Sequence, residues 1–269
     1  MSQRVLRVIE NHPVLCFYVL AFLISWSSWI PQLLFAYQLF PLDHPLFNFL
    51  GGAGPTLAAV IVLWVTKGRN SVGELFATLG KWKAPLFWYL FVFLFWFTAA
   101  GCALVLGKFF GVPIPDFGSF LWITLLPIFI TMLLSNVWEE IGWRGFALPE
   151  LQKKYSDWQI VLIMGVLWSV WHLPLMLNPT SPMAGLPWLA EVLFSLALTT
   201  LYIWIYNHTE RSLFFVTIFH AMSNTIAYIL LTMDVFEQSY VFVVAVTSLA
   251  AVLVVLQYGA QRFGISEID

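Results

Sequence analysis

The chain has few charged residues, and this scarcity sets its class. Asp, Glu, Lys and Arg make up 10% of its 269 residues, while hydrophobic residues make up 61%. A soluble domain carries roughly 25% charged residues, so the composition excludes an ordinary water-soluble globular protein. The two cysteines, Cys16 and Cys102, both lie in apolar stretches, which excludes a disulfide framework and a Cys-x-x-Cys metal site.

Several common catalytic and binding signatures are also absent from the sequence. There is no His-Glu-x-x-His segment of the helical zinc proteases and no glycine-rich phosphate-binding loop. The Gly-x-Ser-x-Gly turn of serine hydrolases is missing as well. Basic residues do not alternate with aromatic residues in a patch, so we expect no nucleic-acid partner.

What the chain has instead is a series of apolar blocks, several of them close to the length that an α-helix needs to cross a bilayer. We therefore predict an all-α, polytopic membrane protein that forms a single domain over residues 1–269. The eight predicted spans are 14–34, 46–65, 85–106, 120–140, 158–177, 188–206, 213–231 and 241–257.

The basic residues give a check on the number of spans, because Lys and Arg concentrate in cytoplasmic loops. With the N-terminus inside and every span crossing once, Lys108 alone falls outside. The other eleven of the twelve basic residues fall inside: Arg4, Arg7, Lys67, Arg69, Lys81, Lys83, Arg144, Lys153, Lys154, Arg211 and Arg262. A wrong span number would scramble this alternation, so we predict eight spans with both termini inside, in the cell membrane.

Small residues occupy part of the second span, where residues 51–55 read Gly-Gly-Ala-Gly-Pro. Small side chains allow another helix to approach closely within a membrane. The pattern therefore predicts tight helix packing or a kink at this point.

Ionisable groups inside predicted spans mark the candidate site, because each costs about 2.5–3.5 kcal/mol near the bilayer centre on insertion scales. Glu140 and Arg144 stand four residues apart, on one face of a continuing helix, and we predict that they form an ion pair. Glu139 lies about 100° away around the helix and lacks that partner. Glu139 is therefore a candidate general base for water.

Two other spans carry further candidate residues. Trp168 and His172, four residues apart on the fifth span, predict an imidazole beside an aromatic wall. His220 and Asn224, four residues apart on the seventh span, point into the same space and could donate hydrogen bonds to a developing oxyanion.

The depths of these residues in the bilayer agree only in part. Counted by helical rise, Glu139 and His220 lie roughly 12 and 13 Å from the inner edge, and His172 roughly 22 Å. Glu191, near the start of the sixth span, is predicted to reach the membrane interface. From the residues alone, hydrolysis, transport and proton relay all stay open.

At these three places the sequence resembles the CPBP family of CAAX proteases and bacteriocin-processing enzymes, also called the Abi family. The family pattern is Glu-Glu-x-x-x-Arg, then Phe-x-x-x-His, then His-x-x-x-Asn or His-x-x-x-Asp. Residues 139–144, 168–172 and 220–224 match it in that order, with Trp168 in place of the usual Phe. The motif-bearing region covers residues 120–231.

The resemblance implies an intramembrane endopeptidase that works without a metal cofactor. In that family assignment, Glu139 and His172 would activate the water, His220 and Asn224 would form the oxyanion hole, and Glu140 and Arg144 would order the site. The implied partners are the lipid bilayer and a peptide or lipidated-peptide substrate. In eukaryotic and archaeal-type members the substrate is a prenylated C-terminal CAAX sequence.

Three alternatives accompany this hypothesis. Zinc could be bound by Glu139, His172 and His220, since zinc takes nitrogen and oxygen ligands. The chain could instead be a non-catalytic bacteriocin-immunity protein that keeps the fold. A transporter or proton relay also buries such residues, although transporters usually contain inverted repeats and the sequence shows none.

Overall fold

Helices are the only regular elements in residues 3–263, the part of the chain that the computed structural model describes. Eight helical segments in this part are long and apolar enough to cross a membrane. They are Pro13–Ala36, Pro45–Lys67, Leu86–Lys108, Trp122–Gln152, Asp157–Leu177, Trp188–His208, Leu213–Thr232 and Phe236–Tyr258. The predicted all-α class and the number of spans are confirmed. Residues 1–2 and 264–269 of the predicted domain lie outside the described residues.

The α-helices are numbered in chain order. They are α1 Gln3–Asn11, α2 Pro13–Ala36, α3 Pro45–Lys67, α4 Arg69–Ala77, α5 Leu86–Lys108, α6 Leu125–Glu140, α7 Leu148–Gln152, α8 Asp157–Trp171, α9 Leu173–Leu177, α10 Trp188–His208, α11 Leu213–Thr232 and α12 Phe236–Tyr258. The local sequence explains where several of these helices begin. Proline opens α2 and α3, where its missing N–H leaves no bond unmade. Ser156 and Gln159 form a capping box on α8, which satisfies two backbone donors.

The fourth span differs most from its prediction. The sequence predicts that it ends at residue 140, but the helix continues through a π-helical segment, Ile141–Ala147, into α7 and ends at Gln152. The prediction was too short because Arg144 reads as an inner-loop residue, whereas its side chain is buried in the bundle at 1% exposure. The continuing helix hydrogen-bonds its own backbone groups, which a membrane interior requires.

Two other spans show smaller differences. The fifth is broken at His172, which lies between α8 and α9, and Pro174 then stands in the first turn of α9. Proline fits a first turn but not a helix interior, so it marks this break. The eighth span begins at Phe236, five residues before the predicted start, which places Tyr240 inside a helix.

The small residues of α3 lie against neighbouring helices, as predicted. A Cβ atom at Gly51 would lie 2.0 Å from Trp29 Nε1, and one at Gly54 would lie 2.1 Å from Ser25 Oγ. The Ser25 hydroxyl donates a 2.6 Å hydrogen bond to the Gly51 carbonyl. The absence of side chains at these glycines therefore permits the close contact of α2 with α3.

Several loops predicted to be inside meet at one end of the bundle. Lys67, at the end of α3, pairs with Glu150 at 2.8 Å. Lys81 donates a 2.9 Å hydrogen bond to the backbone carbonyl of Glu210. Loops that share one end of the bundle share one side of the membrane, so these contacts fit the alternation of the predicted spans.

Candidate active site

The four residues predicted to be catalytic line one cavity. Its volume is about 400 Å³, and Glu139, His172, His220 and Asn224 all contribute to its wall. Glu139 lies on α6, His172 directly follows α8, and His220 and Asn224 lie on α11. Cavities of this size are typical of ligand sites. The helices thus bring together residues that are far apart in the chain, since Glu139 and Asn224 are separated by 85 positions.

Glu140 lies on the packed side of its helix and is fully buried. Its Oε1 atom accepts hydrogen bonds from Arg144 Nη1 at 2.9 Å and from His220 Nδ1 at 2.8 Å. The Arg144 guanidinium also stacks 3.9 Å from the Tyr202 ring centroid and 4.5 Å from that of Trp168. A buried carboxylate needs such partners, because an uncompensated buried charge is strongly destabilising. The predicted Glu140–Arg144 pair is thus present, with His220 as an additional member.

The π-helical segment Ile141–Ala147 begins directly after this pair of acids. Such segments are rare and are found frequently at functional sites. Here the segment contains Arg144 and also Gly142, whose backbone packs against α3. A Cβ atom at Gly142 would lie 2.4 Å from the backbone carbon of Pro55. The close contact fixes the helix at the residue that follows the two glutamates.

Glu139 faces the cavity and is only partly buried. Its Oε2 atom accepts a 3.3 Å hydrogen bond from Trp168 Nε1. None of the ion pairs found within residues 3–263 includes Glu139. The two adjacent glutamates therefore have different environments, one bound to Arg144 and His220 and the other open to the cavity.

His172 lies between two tryptophan rings. The centroid of its imidazole is 5.4 Å from that of Trp168 and 4.9 Å from that of Trp171. The predicted aromatic wall is present and includes Trp171 as well as Trp168. Helical rise counted from the sequence separated His172 from Glu139 and His220 in depth, but all three residues line one cavity.

Glu191 is a cavity residue that the sequence analysis missed. The prediction that it reaches the interface is wrong, because its exposure is 4% and it lines the same cavity. Its carboxylate accepts hydrogen bonds from Ser195 at 3.1 Å and from Tyr240 at 2.5 Å. Ser195 is four residues later on the same helix and was a readable signal, whereas Tyr240 lies on α12 and was predicted to lie just before the eighth span.

Asn136 is the second residue that sequence reasoning did not assign. It is 2% exposed, lines the cavity, and accepts a 3.1 Å hydrogen bond on Oδ1 from Asn224 Nδ2. Asn136 precedes Glu139 by three residues, which places both on neighbouring parts of one helix face. That spacing was the available signal for it.

His220 and Asn224 are not two equally free donors, as the sequence suggested. His220 uses Nδ1 for Glu140, and its ring stands edge-on to Trp168 at a centroid distance of 5.6 Å. Asn224 uses its amide for Asn136. Nε2 of His220 and the second amide hydrogen of Asn224 are the donor positions left for a ligand.

The alternative zinc site receives no geometric support. No group of three His, Cys, Asp or Glu side chains among residues 3–263 is arranged to hold a metal ion. Of the three proposed ligands, His220 uses its Nδ1 atom for Glu140, and Glu139 accepts from Trp168. Nε2 of His220 and the second oxygen of Glu139 are not used in these bonds, so the absence of a metal cofactor stays a prediction.

A second cleft of about 480 Å³ lies near Asp116, Tyr228 and Thr232. It contains none of the predicted catalytic residues. Asp116, its acidic residue, accepts a 2.9 Å hydrogen bond from the backbone N–H of Gly118, as in a turn that uses an aspartate side chain. The chemistry therefore favours the cavity at Glu139.

Comparison with known proteins agrees with the resemblance seen in the sequence. The family model described as type II CAAX prenyl endopeptidase Rce1-like matches residues 120–226, which contain all three motifs. A CAAX prenyl protease 2 of Methanococcus maripaludis is 40% identical over 70 residues. That match spans 24% of this chain and 26% of the archaeal protein, about a quarter of each. The suspected resemblance to the CAAX protease family is confirmed for this central region.

Proposed function

We propose that the chain is an intramembrane endopeptidase of the CAAX protease type. The observation that carries the proposal is the contrast between Glu139, open to a cavity, and Glu140, bound to Arg144 and His220. A general base must be free to accept a proton, and Glu139 meets this condition. The family match over residues 120–226 supports the same chemistry.

The proposed reaction uses the residues that line the cavity. Glu139, assisted by His172, removes one proton from a water molecule while the water oxygen attacks the peptide carbonyl carbon. The carbonyl oxygen becomes an oxyanion in the tetrahedral intermediate. The C–N bond then breaks, the amine takes the proton from Glu139, and the second water proton leaves with the new carboxyl group, which ionises.

The oxyanion is stabilised by His220 and Asn224 in this proposal. Preorganised donors in a site that excludes bulk water contribute a large part of many rate enhancements. Because His220 Nδ1 donates to Glu140, its Nε2 carries a hydrogen only in the imidazolium form. The proposal therefore needs His220 to be protonated at that step, with Glu140 as its counter-anion.

The substrate class proposed is a prenylated peptide with a C-terminal CAAX sequence. The archaeal relative is a CAAX prenyl protease, and much of the cavity wall is apolar, including Trp96, Phe194 and Leu198. An apolar wall suits a lipid-modified peptide, since burying apolar surface is favourable. We also propose that both termini face the cytoplasm, following the distribution of basic residues.

The test is cleavage by the purified protein in nanodiscs. A farnesylated peptide ending in a CAAX sequence is the substrate, the same peptide without the farnesyl group is its comparison, and products are identified by mass spectrometry. Glu139→Gln keeps the shape of the side chain and removes the base. We expect kcat to fall by about 10²–10⁴-fold, the contribution typical of general base catalysis.

The matched control is Glu237→Gln, which changes an exposed glutamate on α12. It is expected to keep wild-type activity. Full activity in Glu139→Gln would rule out the assigned role. A wild-type protein that cleaves neither peptide, but supports Glu139-independent uptake of a solute into proteoliposomes, would instead favour a transporter.

A further inference from the structure

Glu191 is a buried carboxylate in the wall of the same cavity and is not part of the Glu140 cluster. Both of its oxygens are held by hydroxyl groups: Oε1 by Ser195 at 3.1 Å and Oε2 by Tyr240 at 2.5 Å. The two bonds come from different helices, α10 and α12. The carboxylate therefore has a fixed orientation within the cavity wall.

Within residues 3–263, Glu191 forms no ion pair with a lysine or an arginine. The basic group that faces it is His172, whose Nδ1 atom lies 3.8 Å from Glu191 Oε1. That Nδ1 atom is buried and has no hydrogen-bond partner in the described part of the chain. A buried acid and a buried imidazole nitrogen that lack other ionic partners thus face each other.

We propose that Glu191 is a positioning residue that holds His172 in one tautomer. The proposal rests on the endopeptidase function proposed above and adds a role to it. A neutral imidazole carries its hydrogen on one nitrogen and a lone pair on the other, and the partner of one nitrogen decides which. A carboxylate beside Nδ1 selects the Nδ1–H form, which leaves the lone pair on Nε2.

The consequence for the reaction is direct. Nε2 of His172 is then the atom that accepts a proton or orients the water, and Glu191 stabilises the imidazolium that forms. A distance of 3.8 Å exceeds a hydrogen bond, but catalytic contacts are often long before substrate binds and tighten in the complex. A shift of the imidazole by less than 1 Å closes the contact, since it needs about 2.9 Å.

This arrangement also gives α12 a role at the site. Tyr240 is 3% exposed and fixes Glu191 from a helix that carries none of the three sequence motifs. Carboxylates orient metal-binding histidines in the same way in other proteins, and their mutation costs about 10–100-fold in metal affinity or activity. The eighth span would thus contribute to catalysis through a chain of Tyr240, Glu191 and His172.

The first test does not depend on activity. Solid-state ¹⁵N NMR of histidine-labelled protein in bilayers distinguishes a protonated ring nitrogen from an unprotonated one, and His172→Asn identifies the signal. We expect Nδ1–H with unprotonated Nε2 in the wild type, and a mixture of tautomers in Glu191→Gln. An unchanged His172 signal in Glu191→Gln would overturn the proposal, whatever reaction the protein catalyses.

The second test is kinetic. Glu191→Gln keeps the size of the side chain, and we expect kcat to fall about 10–100-fold with little change in KM. Tyr240→Phe keeps the carboxylate but removes one anchor, so its loss should be smaller. Ser195→Ala removes the other anchor, which holds Oε1, the oxygen that faces His172, so we expect it also to lower kcat by less than Glu191→Gln does.

Two comparisons separate the possible outcomes. If Glu191 acts through His172, Glu191→Gln causes no further loss in a His172→Ala background, because residues that act as a unit are not additive. Equal losses in both backgrounds would mean that Glu191 acts independently, and would overturn the proposal. Cleavage by the wild type that is abolished by Glu139→Gln but unaffected by Glu191→Gln would reject this inference alone and keep the proposed function.

Discussion

Glu139 and Glu140 are neighbours in the chain, yet they belong to two different regions of the molecule. Glu140 lies in a packed region with Arg144, His220 and the ring of Tyr202 around it. Glu139 lies on the cavity wall, with one hydrogen bond from Trp168. A turn of about 100° around the helix separates an acid that is bound from an acid that is accessible.

Because of this difference, mutations in the two regions should have different effects. In the packed region, removing a partner leaves a charge without compensation, so the folded state loses stability. On the cavity wall the side chains hold few bonds, so their removal should change the reaction more than the fold. The predictions below test this division, from the largest expected effect to the smallest.

Arg144→Met should break the packed region. Methionine keeps an unbranched apolar stem but removes the guanidinium from Glu140, and we expect the free energy of unfolding to fall by about 3–5 kcal/mol. The measurement is denaturant unfolding in mixed detergent micelles. The residual bond from His220 to Glu140 places the loss at the lower end of this range.

Lys67→Met is the matched control for that change. Lys67 pairs with Glu150, which keeps a second basic partner in Lys153, just as Glu140 keeps His220. The pair is at the surface, so its loss should change stability by about 0–1 kcal/mol. Equal losses in Arg144→Met and Lys67→Met would remove the distinction between the packed region and the surface.

Gly142→Ala should affect both the packed region and the cavity wall. The new Cβ atom would lie 2.4 Å from the backbone carbon of Pro55, and backbone cannot move aside as a flexible side chain can. Overpacking of this kind costs typically about 1–3 kcal/mol. Activity should fall as well, because the residue follows the two glutamates directly and any shift of the helix moves them.

Gly101→Ala provides the control for Gly142→Ala, since a Cβ atom at Gly101 meets nothing within 4 Å. Replacing a glycine inside a helix with alanine stabilises by up to about 1 kcal/mol. The two alanine variants are therefore expected to change stability in opposite directions in thermal unfolding. A stabilised Gly142→Ala would contradict the close contact between α3 and the π-helical segment.

The fold was largely readable from the sequence because hydropathy and span length both follow from the thickness of the bilayer. Hydropathy and span length were sufficient to predict the number of spans. The end of the fourth span was not readable, because Arg144 resembles a loop residue until its partners Glu140 and Tyr202 are known. The break at His172 had a local signal in Pro174, two residues beyond.

The site also has a part that was predictable from the sequence and a part that was not. Pairs four residues apart on one helix, such as Glu140 with Arg144, were predictable because helix geometry fixes them. Contacts between helices were not predictable in this way. Tyr240 binds a glutamate 49 positions earlier in the chain, and the bond from His220 to Glu140 links residues 80 positions apart. Only the packing of the helices reveals such bonds.

Asn136→Ala should give the smallest effect and tests the cavity side of the comparison. Asn136 accepts one hydrogen bond from Asn224, and its own Nδ2 atom is buried without a partner in the described part of the chain. Its removal therefore deletes one bond and one unpaired polar group, which act in opposite directions on stability. We expect the free energy of unfolding to change little.

Activity should respond more clearly than stability in Asn136→Ala. Without its acceptor, Asn224 is free to rotate, and its donor is no longer held for the oxyanion. The loss of one neutral hydrogen bond corresponds to about 0.5–1.5 kcal/mol, so kcat/KM should fall about two- to tenfold. Thr131→Ala is the control, since Thr131 is exposed on the same helix and its hydroxyl donates to the backbone carbonyl of Pro127, one turn earlier. A large loss of stability with unchanged kcat/KM in Asn136→Ala would assign Asn136 to the packed region instead of the cavity wall. The division between the two regions would then no longer follow which residues line the cavity.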